Sequence, residues 1–387
     1  MDSDLPPNEP QSQPSAAAPP PFNSPPLNPP PPVISARQIS PAPKKGRGWK
    51  IFALLLLGLL IVSVLLNATH FVNGLVDAGL SRVRPAGPKL EEMVLEDNDA
   101  HNKIAVIRVD GVISSELLDG YDMVEVIKEQ LKRADDDDKV KAVVLKVNSP
   151  GGEVLASDEI YRLIADFQHD TGKPVVASMG SLAASGGYYI SSPCRWIVAN
   201  ELTITGSIGV IMHGYNFRGL MDKVGVRPDV YKSGKFKDML SPDRSLDEIP
   251  PEERAMVQGL IDETYAKFKS VVAEGRGRAH EQNKKDGKAL SADWESFADG
   301  RVVSGKQALI LGFVDELGNF DVAVERAMDL AGVDNANLIE YEQKHDLSDL
   351  FRMFGKSAAP ALKIDLGVQL PKLQAGQLYF LAPTYVR

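Results

Sequence analysis

The spacing of apolar positions changes several times along this chain, and each change marks a boundary. Residues 1–43 carry no periodic apolar face. The run Ile51-Phe-Ala-Leu-Leu-Leu-Leu-Gly-Leu-Leu-Ile-Val-Ser-Val-Leu-Leu66 is then almost unbroken. With Trp49 before it and Ala68 to Val72 after it, it reaches roughly 20 residues, the length of one helix across a bilayer. From Lys103 onward two periods alternate. Ile104 to Ile113, Lys141 to Asn148, Pro174 to Ser178 and Arg195 to Ala199 are rich in β-branched residues and predict strands. Ser115 to Arg133, Ser157 to Phe167, Leu182 to Ser191 and Pro251 to Gly275 predict helices. Ser304 to Leu311, Val314 to Gly318 and Asp321 to Ala331 close the domain near residue 340. Strands alternating with helices point to a parallel, layered α/β domain. Residues 341–387 show no strong periodicity, and no internal repeat is evident.

Composition sharpens the N-terminal part. Residues 1–43 hold 15 of the 27 prolines. Such a segment cannot offset its ordering entropy by burial and reads as a disordered, proline-rich arm. The basic flank 44–50 (Lys44, Lys45, Arg47, Lys50) precedes the apolar run, whereas the next charges beyond it are Asp77, Arg82 and Arg84. That asymmetry places the N-terminus in the cytoplasm and everything after residue 72 outside. The apolar run is too long for the core of a cleaved signal, and no small-x-small site follows closely, so 51–72 reads as an uncleaved transmembrane helix. Residues 73–100 then form a juxtamembrane stalk.

Charge and cysteine remove other classes. A net charge of −9 argues against a general nucleic-acid binder. The single Cys194 rules out an internal disulfide framework. The six histidines are scattered, and none sits in paired metal-ligand spacing, so neither a metal nor an organic cofactor is expected.

Three segments can carry chemistry. Ser185 lies in Met179-Gly-Ser-Leu-Ala-Ala-Ser-Gly-Gly-Tyr188, at a predicted strand-to-helix junction where free helix amides suit a developing oxyanion. The same serine could be a simple N-cap. It is not a Gly-x-Ser-x-Gly elbow, so an α/β-hydrolase is not indicated. Ser149-Pro-Gly-Gly152 ends a predicted strand and can aim amides at a carbonyl, though it is also a common turn. A serine nucleophile needs a base. His213 is the nearest conventional candidate, but no local sequence marks its carboxylate partner. The loop after Tyr231 offers Lys232, Lys235 and Lys237, or is merely a solvated basic loop. A lysine serves as base only where a dry pocket holds it neutral.

Taken together, the Asn-Ser-Pro-Gly-Gly corner, Met-Gly-Ser-x-Ala-Ala-Ser-Gly-Gly-Tyr-Tyr, Thr-Gly-Ser-Ile-Gly-Val and Lys-Ser-Gly-x-x-Lys-Asp followed by Ser-Pro resemble, in order, the short form of the SppA signal peptide peptidase (protease IV) family. The resemblance covers roughly residues 100–335. It implies a Clp protease/crotonase-type fold of layered βαβ units, preceded by the one transmembrane helix, with a Ser-Lys peptidase domain over 101–340. It implies Ser185 as nucleophile, Lys237 as general base and Ser207 as the hydroxyl that orients the lysine. The amides of Gly186 and Gly152 (with Gly151 as alternative) are assigned to the oxyanion hole. Val154, Ile208 and Gly209 are placed in the walls that would bind an extended peptide. Short members of that family assemble into a homo-oligomeric ring, and a site can draw its lysine from the neighbouring protomer. The expected partners are apolar unfolded peptides, above all cleaved signal peptides, and the membrane. The expected place is a bacterial inner membrane, catalytic domain on the periplasmic side. The proline-rich arm and the tail 341–387 have no assigned role. Two alternatives remain open: a non-catalytic, peptide-binding scaffold on the same fold, or a crotonase-like acyl-coenzyme A enzyme, which should keep a catalytic carboxylate and lie in the cytoplasm.

Overall fold

In the computed structural model the described residues are 52–64, 67, 88–115, 121–284, 286–343 and 377–382. They fall in two units, divided after Val83. In the first, residues 52–64 form helix α1, whose large apolar side chains from Phe52 to Val64 are all exposed. Apart from residue 67, the rest of the predicted span 51–72, the arm 1–43, the basic flank 44–50 and most of the tail 341–387 lie outside the described residues. Among the described residues no helix is long and apolar enough to cross a membrane.

The second unit is built on a sheet. Its strands are β1 (Leu90–Glu96), β2 (Lys103–Asp110), β3 (Val140–Ser149), β5 (Val175–Ala184), β6 (Trp196–Ala199), β7 (Ile204–Gly206), β9 (Val302–Ser304), β10 (Glu316–Leu317) and β11 (Asn337–Gln343). The order β1-β11-β2-β3-β5-β6-β10 is parallel throughout, except for the antiparallel outer pair β1–β11. Strand β5 forks. Val176 to Met179 pair with β6, and Leu182 to Ala184 pair with β7. Three short strands stand apart in a second sheet: β4 (Gly151–Glu153), β8 (Ile211–Met212) and β12 (Leu378–Leu381), in the order β4-β12-β8.

The helices are α2 (Met123–Asp136), α3 (Val154–Thr171), α4 (Gly186–Ser191), α5 (Arg218–Val224), α6 (Pro251–Gln282), α7 (Gly305–Leu311) and α8 (Phe320–Ala331); α2 and α3 pack on one face of the main sheet and α8 on the other, whereas α5 buries none of its residues. The period of two along the strands divides the core. In β3, Val143, Leu145 and Val147 join the large cluster under α2 and α3, whereas Ala142 and Val144 join a smaller one under Ala323, Val324 and Ala327 of α8. Both faces of the central strands are therefore apolar, as expected for a parallel sheet buried between helices. A fully buried ion pair, Arg276 to Asp315, ties α6 to the strand ends, and Asp315 also accepts from the Ile197 and Lys288 amides.

Several predicted boundaries move: the helix predicted from Ser115 begins at Met123, and β11 carries the domain to Gln343, past residue 340. The stalk 73–100 contains β1, an integral edge strand of the sheet, so the folded part begins at Leu90. The helix predicted from Leu182 begins only at Gly186, because β5 continues to Ala184 to meet β7.

Candidate active site

Ser185 stands between the end of β5 and the start of α4 with φ 55° and ψ −117°. That is outside the regions an L-residue adopts without strain, which costs on the order of 1–3 kcal/mol. The position is a sharp strand-to-helix elbow, formed without the Gly-x-Ser-x-Gly motif that usually signals one. The Ser185 N–H donates to the Gly206 carbonyl (2.8 Å), and its carbonyl accepts from Tyr189 in the first turn of α4 (2.8 Å). Its hydroxyl is fully buried and has no hydrogen-bond partner among the described residues. A buried polar group left in that state is destabilising by about 1–3 kcal/mol.

Ser207 is brought alongside by β7. The parallel register runs Ala183 to Thr205 and Ala184 to Gly206, so Ser185 and Ser207 each follow the last paired residue of adjacent strands. Ser207 is also strained, with φ 53°, and its N–H donates to the Arg301 carbonyl (2.8 Å). Thr205, which sequence reasoning missed, fixes this register, its hydroxyl donating to the Ala183 carbonyl at 2.6 Å. A threonine two residues before Ser207 carries no signal that would single it out.

The Ser-Pro-Gly-Gly corner packs backbone to backbone on the same elbow. A Cβ on Gly186 would lie 3.0 Å from Gly151 Cα and 3.1 Å from Gly152 N. A Cβ on Gly151, where φ is +99°, would lie 2.6 Å from Gly186 N. Only glycine allows this approach. The Ile113 N–H donates to Gly151 O and Glu153 N–H donates to Ile113 O. By the alternation of a strand, the Gly152 N–H then points the other way, into the space that β12 occupies. Two amides, those of Gly152 and Gly186, thus lie close to each other next to a buried serine hydroxyl. Such a pair can hold a tetrahedral oxyanion.

The remaining predicted residues scatter. Val154 is not on the strand after Gly152. It is the first residue of α3 and packs, half-buried, on the large core. Ile208 is a fully buried core residue. Gly209 lines a cavity of about 540 Å³, together with Ser207, Val210, Ile211, Tyr265 and Leu381. At its rim, hydrogen bonds from Arg301 hold the Asp299 carboxyl down at about 2. Lys237 is exposed, in the segment between α5 and α6. Its neighbours Lys232 and Lys235 are ion-paired with Asp238 and Glu252, whereas Lys237 has no ion pair among the described residues. His213 packs edge-on against Tyr215 (ring centroids 4.9 Å apart). Burial pushes the Cys194 thiol well above its ordinary range, which leaves it inert as a nucleophile.

Comparison with known proteins matches residues 168–334 to the model of peptidase family S49 and residues 110–195 to that of Clp protease. A putative protease of Synechocystis sp. is 41% identical over 268 residues, covering 69% of this chain and 88% of that protein. A putative signal peptide peptidase of Enterococcus faecium is 34% identical over 295 residues, covering 75% and 81%. Protease 4 of Salmonella typhi is 38% identical over 253 residues, which cover 65% of this chain but 38% of that longer protein.

Proposed function

Because the chain belongs to peptidase family S49, we propose that its site is a Ser-Lys dyad assembled between copies: Ser185 attacks the carbonyl of an apolar peptide, and Lys237 of a neighbouring copy takes the hydroxyl proton. The observation that carries this is Ser185, its backbone strained and its buried hydroxyl without a partner among the described residues, beside the Gly152 and Gly186 amides. An unpartnered buried donor is the place where an incoming base fits. Lys237 is exposed within its own chain, so the dry surroundings that a lysine base requires must come from contact with another surface. The segment that bears it also exposes Val230, Tyr231 and Leu240, and the stretch before it through α5 exposes Tyr215, Phe217 and Leu220, an apolar group suited to an interface between copies.

Attack would give a tetrahedral intermediate whose oxyanion is held by the two amides. Its collapse expels the amine, protonated by the lysine, and leaves an acyl-enzyme. The same lysine then activates water to release the acid and free Ser185. Ser207, which follows β7 as Ser185 follows the adjacent β5, orients the lysine. Cleaved signal peptides and other unfolded apolar peptides are the proposed substrates. The relative named a putative signal peptide peptidase and the apolar lining of the cavity support this choice. Residues 51–72 would hold the chain in a bacterial inner membrane with the catalytic domain on the periplasmic side. The lysine and arginine run before them and the exposed apolar side chains of 52–64 support that placement.

The test uses the full chain in detergent, a fluorogenic apolar peptide and a serine-directed acylating probe. Ser185→Ala and Lys237→Ala should each be inactive, and a mixture of the two should regain activity, since mixed assemblies contain intact pairs. A parent chain that is folded but neither cleaves nor is acylated would leave a peptide-binding scaffold. An inactive mixture of demonstrably mixed assemblies would place the lysine in the same chain as the serine.

A further inference from the structure

We propose that Glu253 and Arg244 are positioning residues for Lys237: they dock the turn that bears the lysine onto the first turn of α6, so that its side chain is presented from a fixed backbone. No residue from 226 to 250 is buried, and the stretch holds one short helical turn, Leu246–Glu248, and no other helix or strand. Three residues on, Glu253 is only 3% exposed. A carboxylate is seldom buried unless it is paired. This one accepts from Arg244 Nη1 at 2.7 Å and from the Leu240 N–H at 3.2 Å. It also lies in the first turn of α6, where the helix dipole favours negative charge. Of the buried residues of α6, Glu253 alone precedes Phe268, and the others, Phe268 to Ala279, hold the helix in the core. The grip of α6 on the core therefore lies about four turns away from this carboxylate.

What Glu253 holds leads to Lys237. Arg244 donates onward to the carbonyls of Asp238 (3.3 Å) and Glu248 (2.8 Å), and the Asp238 carboxylate takes Lys232 Nζ on both oxygens at 2.7 Å. Asp238 follows Lys237 directly. Around this pair three turns overlap: the Lys237 N–H donates to the Gly234 carbonyl (3.4 Å), Met239 to Phe236 (3.0 Å) and Ser241 to Asp238 (3.1 Å). Leu240 has φ 66°, a conformation disfavoured for leucine. Such a residue persists only where its surroundings hold it, and the bond from its N–H to Glu253 does so. Lys237 therefore has a backbone fixed on both sides and a side chain left exposed. A base carried on a loose loop would have to be ordered at each encounter. Here folding supplies the order in advance, which is how positioning raises a rate. The docking of the turn stands on geometry alone, whereas its consequence for catalysis rests on the proposed role of Lys237.

The experiment separates the two, using the full chain in detergent. Glu253→Leu removes both acceptors and Glu253→Gln keeps one. Amide exchange over residues 234–241, read by mass spectrometry, should speed up about tenfold in Glu253→Leu and less in Glu253→Gln, with β3 and β5 as protected as in the parent. On a fluorogenic apolar peptide kcat should fall about 10²-fold in Glu253→Leu and about tenfold in Glu253→Gln, with KM little changed, as when a reacting group is misplaced. The defect should also travel with the lysine. In the mixture of Ser185→Ala and Lys237→Ala chains, Glu253→Leu placed on the Ser185→Ala chain, which supplies the lysine, should remove the regained activity. Placed on the Lys237→Ala chain it should change the rate little. Unchanged exchange over 234–241, parental kcat despite faster exchange, or equal loss whichever chain carries the change would make the network ordinary surface structure and overturn the inference. An inactive mixture, with the full kcat loss in Glu253→Leu alone, would uphold the positioning and put the lysine in the same chain as the serine. Faster exchange in Glu253→Leu, with a parent that neither cleaves the peptide nor is acylated at Ser185, would uphold the docked turn and remove Lys237 as the base.

Discussion

If the strain and the unpartnered hydroxyl of Ser185 are retained for chemistry, removing them should make the protein more stable and inactive. In Ser185→Ala the buried, unpartnered Oγ disappears. An unsatisfied group of that kind costs about 1–3 kcal/mol, so the gain should be about 1 kcal/mol, near the lower end because the new methyl leaves a small void. Ser185→Gly also frees φ 55°, ψ −117°, worth about 1–3 kcal/mol, against about 0.5–1 kcal/mol of added chain entropy. Its net gain should be about 2 kcal/mol. At about 2–4 °C per kcal/mol for a large domain, Tm should rise by about 2–4 °C for alanine and about 4–8 °C for glycine. Ser191→Ala is the control. Ser191 is equally buried but donates to the Gly187 carbonyl at 2.7 Å, so its loss should lower stability by about 1 kcal/mol. Urea unfolding of the three variants and the parent, with activity measured alongside, reads the result. Ser185 variants no more stable than the parent, or moving in the same direction as Ser191→Ala, would refute the reasoning.

Other changes probe the surroundings. Gly186→Ala would set a methyl 2.7 Å from Ser157 Oγ and 3.1 Å from Gly152 N, so kcat should fall about 10²–10³-fold, the loss typical of one oxyanion donor, while circular dichroism shows a folded chain. Arg276→Met would leave Asp315 as an uncompensated buried charge and should cost about 3–5 kcal/mol in urea unfolding without altering KM. Lys103 joins Glu92 of β1 to Asp137. Burial opposes the Lys103 charge, but the hydrogen bonds to Glu92 and Asp137 hold its pKa above the ordinary lysine value, and burial of Asp137 is outweighed by its bonds from Lys139 and Lys103, which hold it below the ordinary carboxylate value. For Asp137 this stability is present above its unfolded value of 3.8 and is lost as pH falls through the lower folded value. For Lys103 it is present below 10.5 and is lost as pH rises through the higher folded value. Amide exchange in β1, corrected for intrinsic rates, should therefore lose protection at both extremes and stay level between them.

The central strands and the long helices were legible because their pattern is local. Val140 to Val147 is apolar on both faces, and Pro251 onward repeats at helical spacing. Strand β1 was hidden because an edge strand buries little: of Leu90 to Glu96 only Leu90 is buried, and the glutamates read as a charged linker. The run Leu182 to Ala184 was read as helix because small residues show no period, and its strand character comes from pairing with β7. Strand β12 was invisible for a stronger reason, since its partners are Gly151 to Glu153 and Ile211 to Met212, far away in sequence. At the site, the glycine-rich motifs pointed to residues that the fold brings together: Ser185, Ser207, Gly151, Gly152 and Gly186. The positive φ of Ser185 could not be read from its residue type, because serine carries no preference for that conformation. Val154 and Ile208 were misplaced because β-branched residues near a turn suit a strand wall and a core equally well.

The division of the proposed dyad has a kinetic consequence. Within one chain the nucleophile is buried and the lysine exposed, so a lone copy holds both groups but not their contact. On that proposal a newly made chain would be inert until it meets others. Activity should therefore depend on assembly, and specific activity should rise with protein density in the membrane or micelle rather than stay constant. The measurement is turnover of a fluorogenic apolar peptide by the full chain in proteoliposomes, over a wide range of protein-to-lipid ratio, with the assembly state followed by crosslinking at each ratio. Specific activity that falls in step with the crosslinked fraction on dilution supports a lysine supplied by a neighbour. Undiminished activity at ratios where crosslinking finds only single chains would mean that Lys237 folds back onto its own Ser185, and the exposed apolar side chains around Tyr231 and Leu240 would then cover that closed site.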